Sequence, residues 1–309
     1  MLARTVRSGL TEAFHDGTAC VADAEGAVLQ AWGDTTRPIF YRSAIKPFQA
    51  TIALELGAEL EPEEIAVASA SHGGHPIHLA YVTQILAKAN LDDEALRCPR
   101  DWPMSRAARD RVVRAGDQPR RLFHNCSGKH AASLLAARAA GLPLDSYESP
   151  EHPIQQRVVD LIREVSGAEP TPVGVDGCGF PTLRGTTESL AIAFARFSTD
   201  DRFARVRDAI SRFPSLSGDA LRPDGAFGAW WSAALKIGAM GLVGAGNRGV
   251  GVAVKSWEGS LDVAMVGLME VANRRNMLSE AGTSDLGHVA RPPVLGGGVA
   301  VGAMVPDLR

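Results

Sequence analysis

The stretch Tyr41-Arg42-Ser43-Ala44-Ile45-Lys46-Pro47-Phe48 constrains the fold most. Ile39-Phe40-Tyr41 before it reads as extended chain. After Ser43, the residues Ile45, Phe48, Ile52, Ala53 and Leu56 recur at helical spacing as far as Gly57, a suitable C′ glycine. Pro47 falls in the first turn, where backbone N–H groups lack partners anyway. This helix is expected to be central and buried. Serine and lysine three residues apart lie on one helical face. The Lys46 amine is therefore expected beside the Ser43 hydroxyl, a poor nucleophile at neutral pH unless a base adjoins it. The helix start adds N–H groups that favour negative charge.

Lysine is scarce here. Of 32 basic residues only five are lysines: Lys46, Lys88, Lys129, Lys236 and Lys255. Arginine keeps its proton in proteins, whereas a buried lysine can lose it. The few lysines thus point mildly to chemistry, except Lys88, which sits on a surface-type helix. A net charge of −3 leaves no electrostatic footprint for nucleic acid or anionic lipid. No apolar run approaches the roughly 18 residues that span a bilayer, and Met1–Arg7 lacks the apolar core of a signal peptide. A cytoplasmic protein with reduced Cys20, Cys98, Cys126 and Cys178 is expected.

Along the chain, residues 18–33 read as a β-hairpin turning at Asp23-Ala24-Glu25-Gly26. Helices are expected from about 61 to 67, 77 to 90, 130 to 140, after His152-Pro153, 185 to 197 and 261 to 277. Residues 98–121 read as loop and helix. Leu235–Val243 reads as one strand and Val250–Lys255 as its partner, turning at Ala245-Gly246-Asn247-Arg248. The order predicts an α/β (α+β) fold in one domain, 1–309. Its antiparallel sheet comes from both chain ends (about 1–57 and 225–309), with a helical subdomain (about 58–224) inserted.

Further motifs join Ser43 and Lys46. Ser71-His72-Gly73-Gly74 is a polar turn; with His75 and His78 it could suggest metal, but no carboxylate or cysteine joins it. Lys236-Ile237-Gly238 resembles the Lys-x-Gly strand that accompanies Ser-x-x-Lys enzymes, and Lys255 is its competitor. A glycine-rich strand would let a substrate approach backbone N–H groups, as an oxyanion hole needs. Cys126-x-x-Lys129 and Cys178 lie in separate glycine-containing turns. They could hold a metal if they meet in space; otherwise they are buried free cysteines.

Together these residues resemble the Rhizobium etli type of L-asparaginase, the asparaginase II family. The likeness runs in order through Arg7-Ser8-Gly9, Glu12, His15, Tyr41–Pro47, Ala70-Ser71-His72, Asn125–His130, His152–Gln155, Asp176–Pro181 and Lys236–Ala239. It implies a fold like the serine β-lactamases and serine-dependent glutaminases. It also implies hydrolysis of L-asparagine to L-aspartate and ammonia, with Ser43 as nucleophile and Lys46 as base. Ser71 and Lys236 would be a second Ser–Lys pair, and Arg42, His72, Gly238 and Ala239 would meet the substrate. The resemblance further implies zinc on Cys126, Lys129 and Cys178, and a homodimer. The chain departs from the family pattern in several places. Gly73 and His75 replace a small polar residue and a glutamate, and Met240 replaces a glutamate. Arg222-Pro223-Asp224-Gly225 replaces an Arg-x-Asp-Thr run, and Cys98-Pro99-Arg100-Asp101-Trp102 also diverges. Alternatives are a hydrolase or acyltransferase acting on a different amino-acid-derived amide or ester, and a non-catalytic binding protein.

Overall fold

The computed structural model describes residues 1–219, 222–231 and 234–309. Four strands open the chain: β1 (Ala3–Arg7), β2 (Leu10–His15), β3 (Gly17–Asp23) and β4 (Val28–Trp32). A short β5 (Ile39–Phe40) enters a single 3-10 turn, Arg42–Ile45, and then helix α1 (Lys46–Glu55). The helical middle contains α2 (Pro62–Ala68), α3 (Pro76–Lys88), α4 (Arg106–Arg114), α5 (Ser127–Ala139) and α6 (Pro153–Ser166). Proline occupies the first turn of α1, α2, α3 and α6, where its missing N–H costs nothing. Glu61 and Glu64 close a capping box on α2.

Two short pairings follow, β6 (Gly174–Val175) with β7 (Pro181–Thr182) and β8 (Arg184–Gly185) with β5. Helices α7 (Thr187–Phe197), α8 (Ala204–Arg212), α9 (Pro214–Ser217) and α10 (Pro223–Trp230) complete the middle. The chain returns to strands with β9 (Ala234–Gly238), β10 (Leu242–Asn247) and β11 (Val250–Ser256). Helix α11 (Leu261–Arg274) and a final hairpin, β12 (Pro293–Gly296) and β13 (Val299–Pro306), end it. Among the described residues no helix is long and apolar enough to cross a membrane.

The mixed α/β architecture agrees with the expectation, and its two large sheets are antiparallel and draw on both chain ends. The larger has the order β4-β3-β11-β10-β9, the other β12-β13-β1-β2. In the second, Ala3 pairs with Pro306, so the two ends of the chain lie side by side. The larger sheet separates two hydrophobic clusters. Its alternating residues divide between them, as period-two side chains must. Ala19, Val21, Val243, Val252 and Val254 face the cluster of α11, whereas Cys20, Ala22 and Ala253 face the helical middle.

The C-terminal strands correct the expected hairpin. Leu235–Val243 is not one strand. Met240 and Gly241 both adopt left-handed φ, at +63° and +66°, and make a tight turn between β9 and β10. The reversal between β10 and β11 comes at Arg248-Gly249, not at Ala245, which sits inside β10. Gly246, expected in a turn, and its neighbours Gly244 and Gly251 instead admit α7. A Cβ on Gly244 would stand 2.2 Å from Phe194, on Gly246 2.0 Å from the Phe194 carbonyl, and on Gly251 1.9 Å from the Ala191 carbonyl. Helix α7 therefore lies directly on sheet backbone. Glycine is required there for packing, and Phe194 takes the space a side chain would fill.

Gly251→Ala tests this. Overpacking against backbone costs about 1–3 kcal/mol, so the urea midpoint should fall with the m-value unchanged. An unaltered midpoint would show that α7 has room to yield.

Candidate active site

The Tyr41–Lys46 turn is held from two sides. Tyr41 N–H donates to the Leu183 carbonyl at 2.9 Å, and its phenol bonds Ser189 Oγ at 2.6 Å. Arg42 has φ +50°, a rare conformation for a non-glycine residue. Its N–H donates to Thr182 Oγ1, and its guanidinium clasps Asp176 Oδ1 through Nε at 3.1 Å and Nη2 at 2.7 Å. Burial opposes ionisation of Asp176, yet the Arg42 hydrogen bond holds its carboxyl below the usual range. This constrained turn presents Ser43 immediately before α1.

Lys46 is the first residue of α1 and is buried. Its backbone N–H donates to the Ser43 carbonyl, but its amine does not hydrogen-bond the Ser43 hydroxyl as expected. Its Nζ donates instead to the Ala70 carbonyl and, at 3.0 Å, to Ser71 Oγ. The strand β9 brings Lys236 to the same hydroxyl at 3.3 Å, with a second bond to the Ile237 carbonyl at 3.0 Å. Ser71 Oγ thus bridges two buried lysines from opposite ends of the chain. Lys255 makes other contacts, to the Met240 and Ser256 carbonyls.

The lysines cannot both be charged cheaply. Their nitrogens lie within hydrogen-bonding distance of one oxygen, so two positive charges there repel one another strongly in a poorly solvated site. Burial is the larger effect on each. It pushes Lys236 well below the ordinary 10.5, with Lys46 adding repulsion, and it lowers Lys46 too. A neutral amine beside a hydroxyl is a base in position.

On its other side Lys46 adjoins Cys126. Cys126, Lys129 and Cys178, expected to meet only if the fold allowed it, do meet. Lys129 Nζ donates to Cys178 Sγ at 3.1 Å and lies 3.8 Å over the Phe180 ring. The Cys178 hydrogen bond drives the Cys126 thiol well below the ordinary 9.0 against the opposing effect of burial, helped by Lys46 and Lys129. Burial pulls Lys129 down, but Cys178 and Cys126 together lift it above 10.5. His130 packs on Phe180 and is pushed down to about 4 by burial, so it is neutral. Among the described residues no group of three His, Cys, Asp or Glu side chains is placed to hold a metal.

His72 lies behind Ser71. Its N–H donates to the Asn125 carbonyl at 3.1 Å and ties the Ser71 turn to the start of α5. Ser127 Oγ donates to the Leu122 carbonyl, so it accepts from His72 Nε2–H at 3.0 Å. Burial holds the ring well below the ordinary 6.5 and so neutral, with its proton on Nε2. It stacks on His78 at 5.3 Å, while His75 stands 3.6 Å from Asp219 Oδ2.

Gly238 and Ala239 fall differently. Gly238 is buried, and a Cβ on it would stand 2.9 Å from the Tyr41 carbonyl; Ala239 is exposed in the turn after it. Three side chains escaped the residue-level reading of the site. Asp176 was visible inside a motif but without a role. Arg222 and Asp224 looked like a broken motif; they form a two-point ion pair at 3.0 and 2.8 Å, with Asp224 buried and felt by Lys236. The i, i+2 spacing of opposite charges beside a lysine strand was the available signal.

Among curated proteins none matches the sequence. Among solved structures, a protein titled Mglu in its native form aligns at TM-score 0.47 and 15% identity, covering 89% of this chain and 68% of that one. A β-lactamase from Mycobacterium bovis aligns at TM-score 0.41 and 16% identity, covering 89% and 95%. Likenesses this distant carry no argument about the site. The sequence model of L-asparaginase II, in contrast, matches residues 3–306. With nearly the whole chain spanned, the protein belongs to the L-asparaginase II family and is an amidohydrolase.

Proposed function

We propose that the protein hydrolyses the side-chain amide of L-asparagine to L-aspartate and ammonia through a serine acyl-enzyme. The observation that carries this reading is the Ser71 hydroxyl between two buried lysines, beside the constrained turn that presents Ser43. Ser43 Oγ would attack the amide carbon while neutral Lys46 takes its proton. Hydrogen bonds of this kind are often loose until substrate binds, so the present Lys46–Ser71 contact does not preclude the transfer. Ser71, resupplied through Lys236, would hand a proton to the departing nitrogen. The C–N bond breaks, ammonia leaves and Ser43 carries an ester, which water then cleaves. The partly buried Arg42–Asp176 pair offers both charges that an α-amino acid needs for recognition. Gly238 brings its backbone close to the Tyr41 carbonyl, and with Ala239 after it would supply the N–H groups of an oxyanion hole.

The zinc reading rests on the donor set. Two thiols, one with a weakly held proton, and one amine gather in a buried group, and nitrogen and sulfur are the donors zinc takes. Cys126, Lys129 and Cys178 would hold the ion, and Lys129 must lose its proton to do so. Zinc when bound supplies a fixed positive charge that polarises a neighbouring oxygen. A homodimer in the cytoplasm completes the reading. Leu10 and Phe14 on edge strand β2 are 73% and 65% exposed, an apolar surface that a second copy would cover.

Three measurements test these points. Ser43→Ala should lower kcat for ammonia release from L-asparagine by about 10⁴-fold or more; retained activity would remove Ser43 from the nucleophile's role. Because a neutral lysine is needed and burial depresses both lysines, activity should be lost as pH falls through a value below 10.5. A limb at 10.5 or above would contradict it. Metal analysis should find zinc in the wild type and much less in Cys126→Ala; equal, negligible zinc in both would end the metal reading.

A further inference from the structure

A cavity late in the chain brings together charges that the fold leaves unmatched. It has a volume of about 240 Å³ and is lined by Asn247, Arg248, Val250, Arg275, Asn276 and Met277. Asn247 and Arg248 stand at the β10–β11 turn, and Arg275 and Asn276 follow the end of α11. Among the described residues no acidic side chain lines it. The side chains of Arg248 and Arg275 make no hydrogen bond, ion pair or ring contact among the described residues. Arg274, one residue before Arg275, is by contrast engaged twice: it holds Glu270 at 2.7 Å and lies over the Trp32 ring at 5.9 Å.

The backbone makes this arrangement costly. Arg248 has φ +49° and Gly249 φ +81°, so both central residues of the hairpin are left-handed, the pattern of a type I′ turn. Asn-Gly or Gly-Gly suits that turn, whereas arginine is strained in its first position. Asn276 is also left-handed, at φ +51°. Two of the six non-glycine residues with positive φ among the described residues therefore line this one cavity. Residues held in such conformations cluster at ligand clamps. Arg275 has a local reason for its place, because the carbonyls at the end of α11 favour a cation. Arg248 has no such partner in the fold. Two guanidinium groups on one small cavity repel each other. An oxyanion between them relieves that repulsion and accepts their N–H groups in pairs. The amides of Asn247 and Asn276 add neutral donors.

We propose that this cavity is a binding site for a compact oxyanion group, a phosphate or a carboxylate, carried by a small molecule. The ligand need not be a bare ion. The cavity shares Asn276 with a second one of about 400 Å³, whose lining includes Asn273, Thr283 and Ser284. Hydroxyl and amide groups of that kind suit a neutral, hydroxyl-bearing remainder. Glu280 lines only the second cavity, which keeps the negative group on the arginine side. The site is separate from the serine–lysine centre. The Arg248 turn closes one end of β10, and the Met240-Gly241 turn that follows Gly238 closes the other. A bound anion joins the hairpin turn of the larger sheet to the end of α11.

The test titrates the full chain with inorganic phosphate and with succinate in calorimetry, at one ionic strength held with potassium chloride. Saturable binding of at least one of them is expected. Phosphate binding more tightly than succinate assigns a phosphate ligand, and the reverse order a carboxylate. Arg275→Ala should weaken binding by about tenfold or more, the loss that a charge-assisted hydrogen bond carries. Arg248→Gly should weaken it as much while unfolding no earlier than the wild type in urea, because glycine adopts the left-handed φ of position 248 freely. Lost binding in that variant is then not the loss of a folded chain. Failure of both anions to bind saturably would overturn the proposal, and so would binding that Arg248→Gly and Arg275→Ala leave unchanged.

Discussion

Two buried ammonium groups cannot both keep their protons when they share one hydroxyl. That constraint organises the centre of this protein. Lys46 arrives from the first residue of α1 and Lys236 from β9, and Ser71 Oγ is their common partner. Removing both amines from water already favours their neutral forms, and their mutual repulsion adds to it. The cost of burying them makes them weaker bases than a solvated lysine but leaves an amine without its proton, ready to accept one. An arginine at either position would stay charged, which explains why lysine persists there in a chain that otherwise prefers arginine.

Such an arrangement needs rigid surroundings, because a loosened site would admit water and let both lysines charge. Packing supplies the rigidity. Helix α7 rests on the bare backbone of β10 and β11, and its Phe194 belongs with Phe48 of α1 in an edge-to-face pair at 5.8 Å. Phe48 also meets Phe197 of α7 at 5.1 Å, so the sheet that carries Lys236 and the helix that carries Lys46 are locked through these aromatic contacts. Tyr41, hydrogen-bonded to Ser189 at the start of α7, fixes the turn between them. Gly185 leaves the phenol its room; a Cβ there would fall 1.9 Å from the Tyr41 hydroxyl.

Much of this was legible in the residues, and the failures have physical causes. The family, the strand-to-helix turn at Ser43 and the candidate groups at Cys126, Lys129 and Cys178 could be read because local spacing and residue type carry them. The partner of Lys46 could not. Helical spacing placed its amine beside Ser43, but a long side chain chooses among acceptors by tertiary position, and the Ala70 carbonyl and Ser71 were closer to hand. The glycines of β10 and β11 misled for a related reason. Glycine signals either a turn or a close neighbour, and only the placement of α7 decides between them. The true turn at Met240-Gly241 was hidden because methionine seldom adopts a left-handed φ. Arg222 and Asp224 were passed over as a damaged motif, although the charges that matter were both present.

Charge pairing carries the argument one step further. Arg42 is matched by Asp176 and Arg222 by Asp224, and Lys129 stands against the Cys126–Cys178 thiols. With those accounts closed, a proton on either Lys46 or Lys236 has little left to balance it except Cys126, which adjoins Lys46, and Asp224, which is felt by Lys236. Cys126 acts on both lysines, while Asp224 and Arg222 act on Lys236. A change at the thiol cluster therefore bears on both amines, and a change at the Arg222–Asp224 pair bears on Lys236. The Ser71 hydroxyl is where the two amines meet, and the same turn runs on through Gly73 to His75, which stands 3.6 Å from Asp219. Alterations at Gly73 and His75 therefore fall within a few residues of backbone of the proton-handling centre.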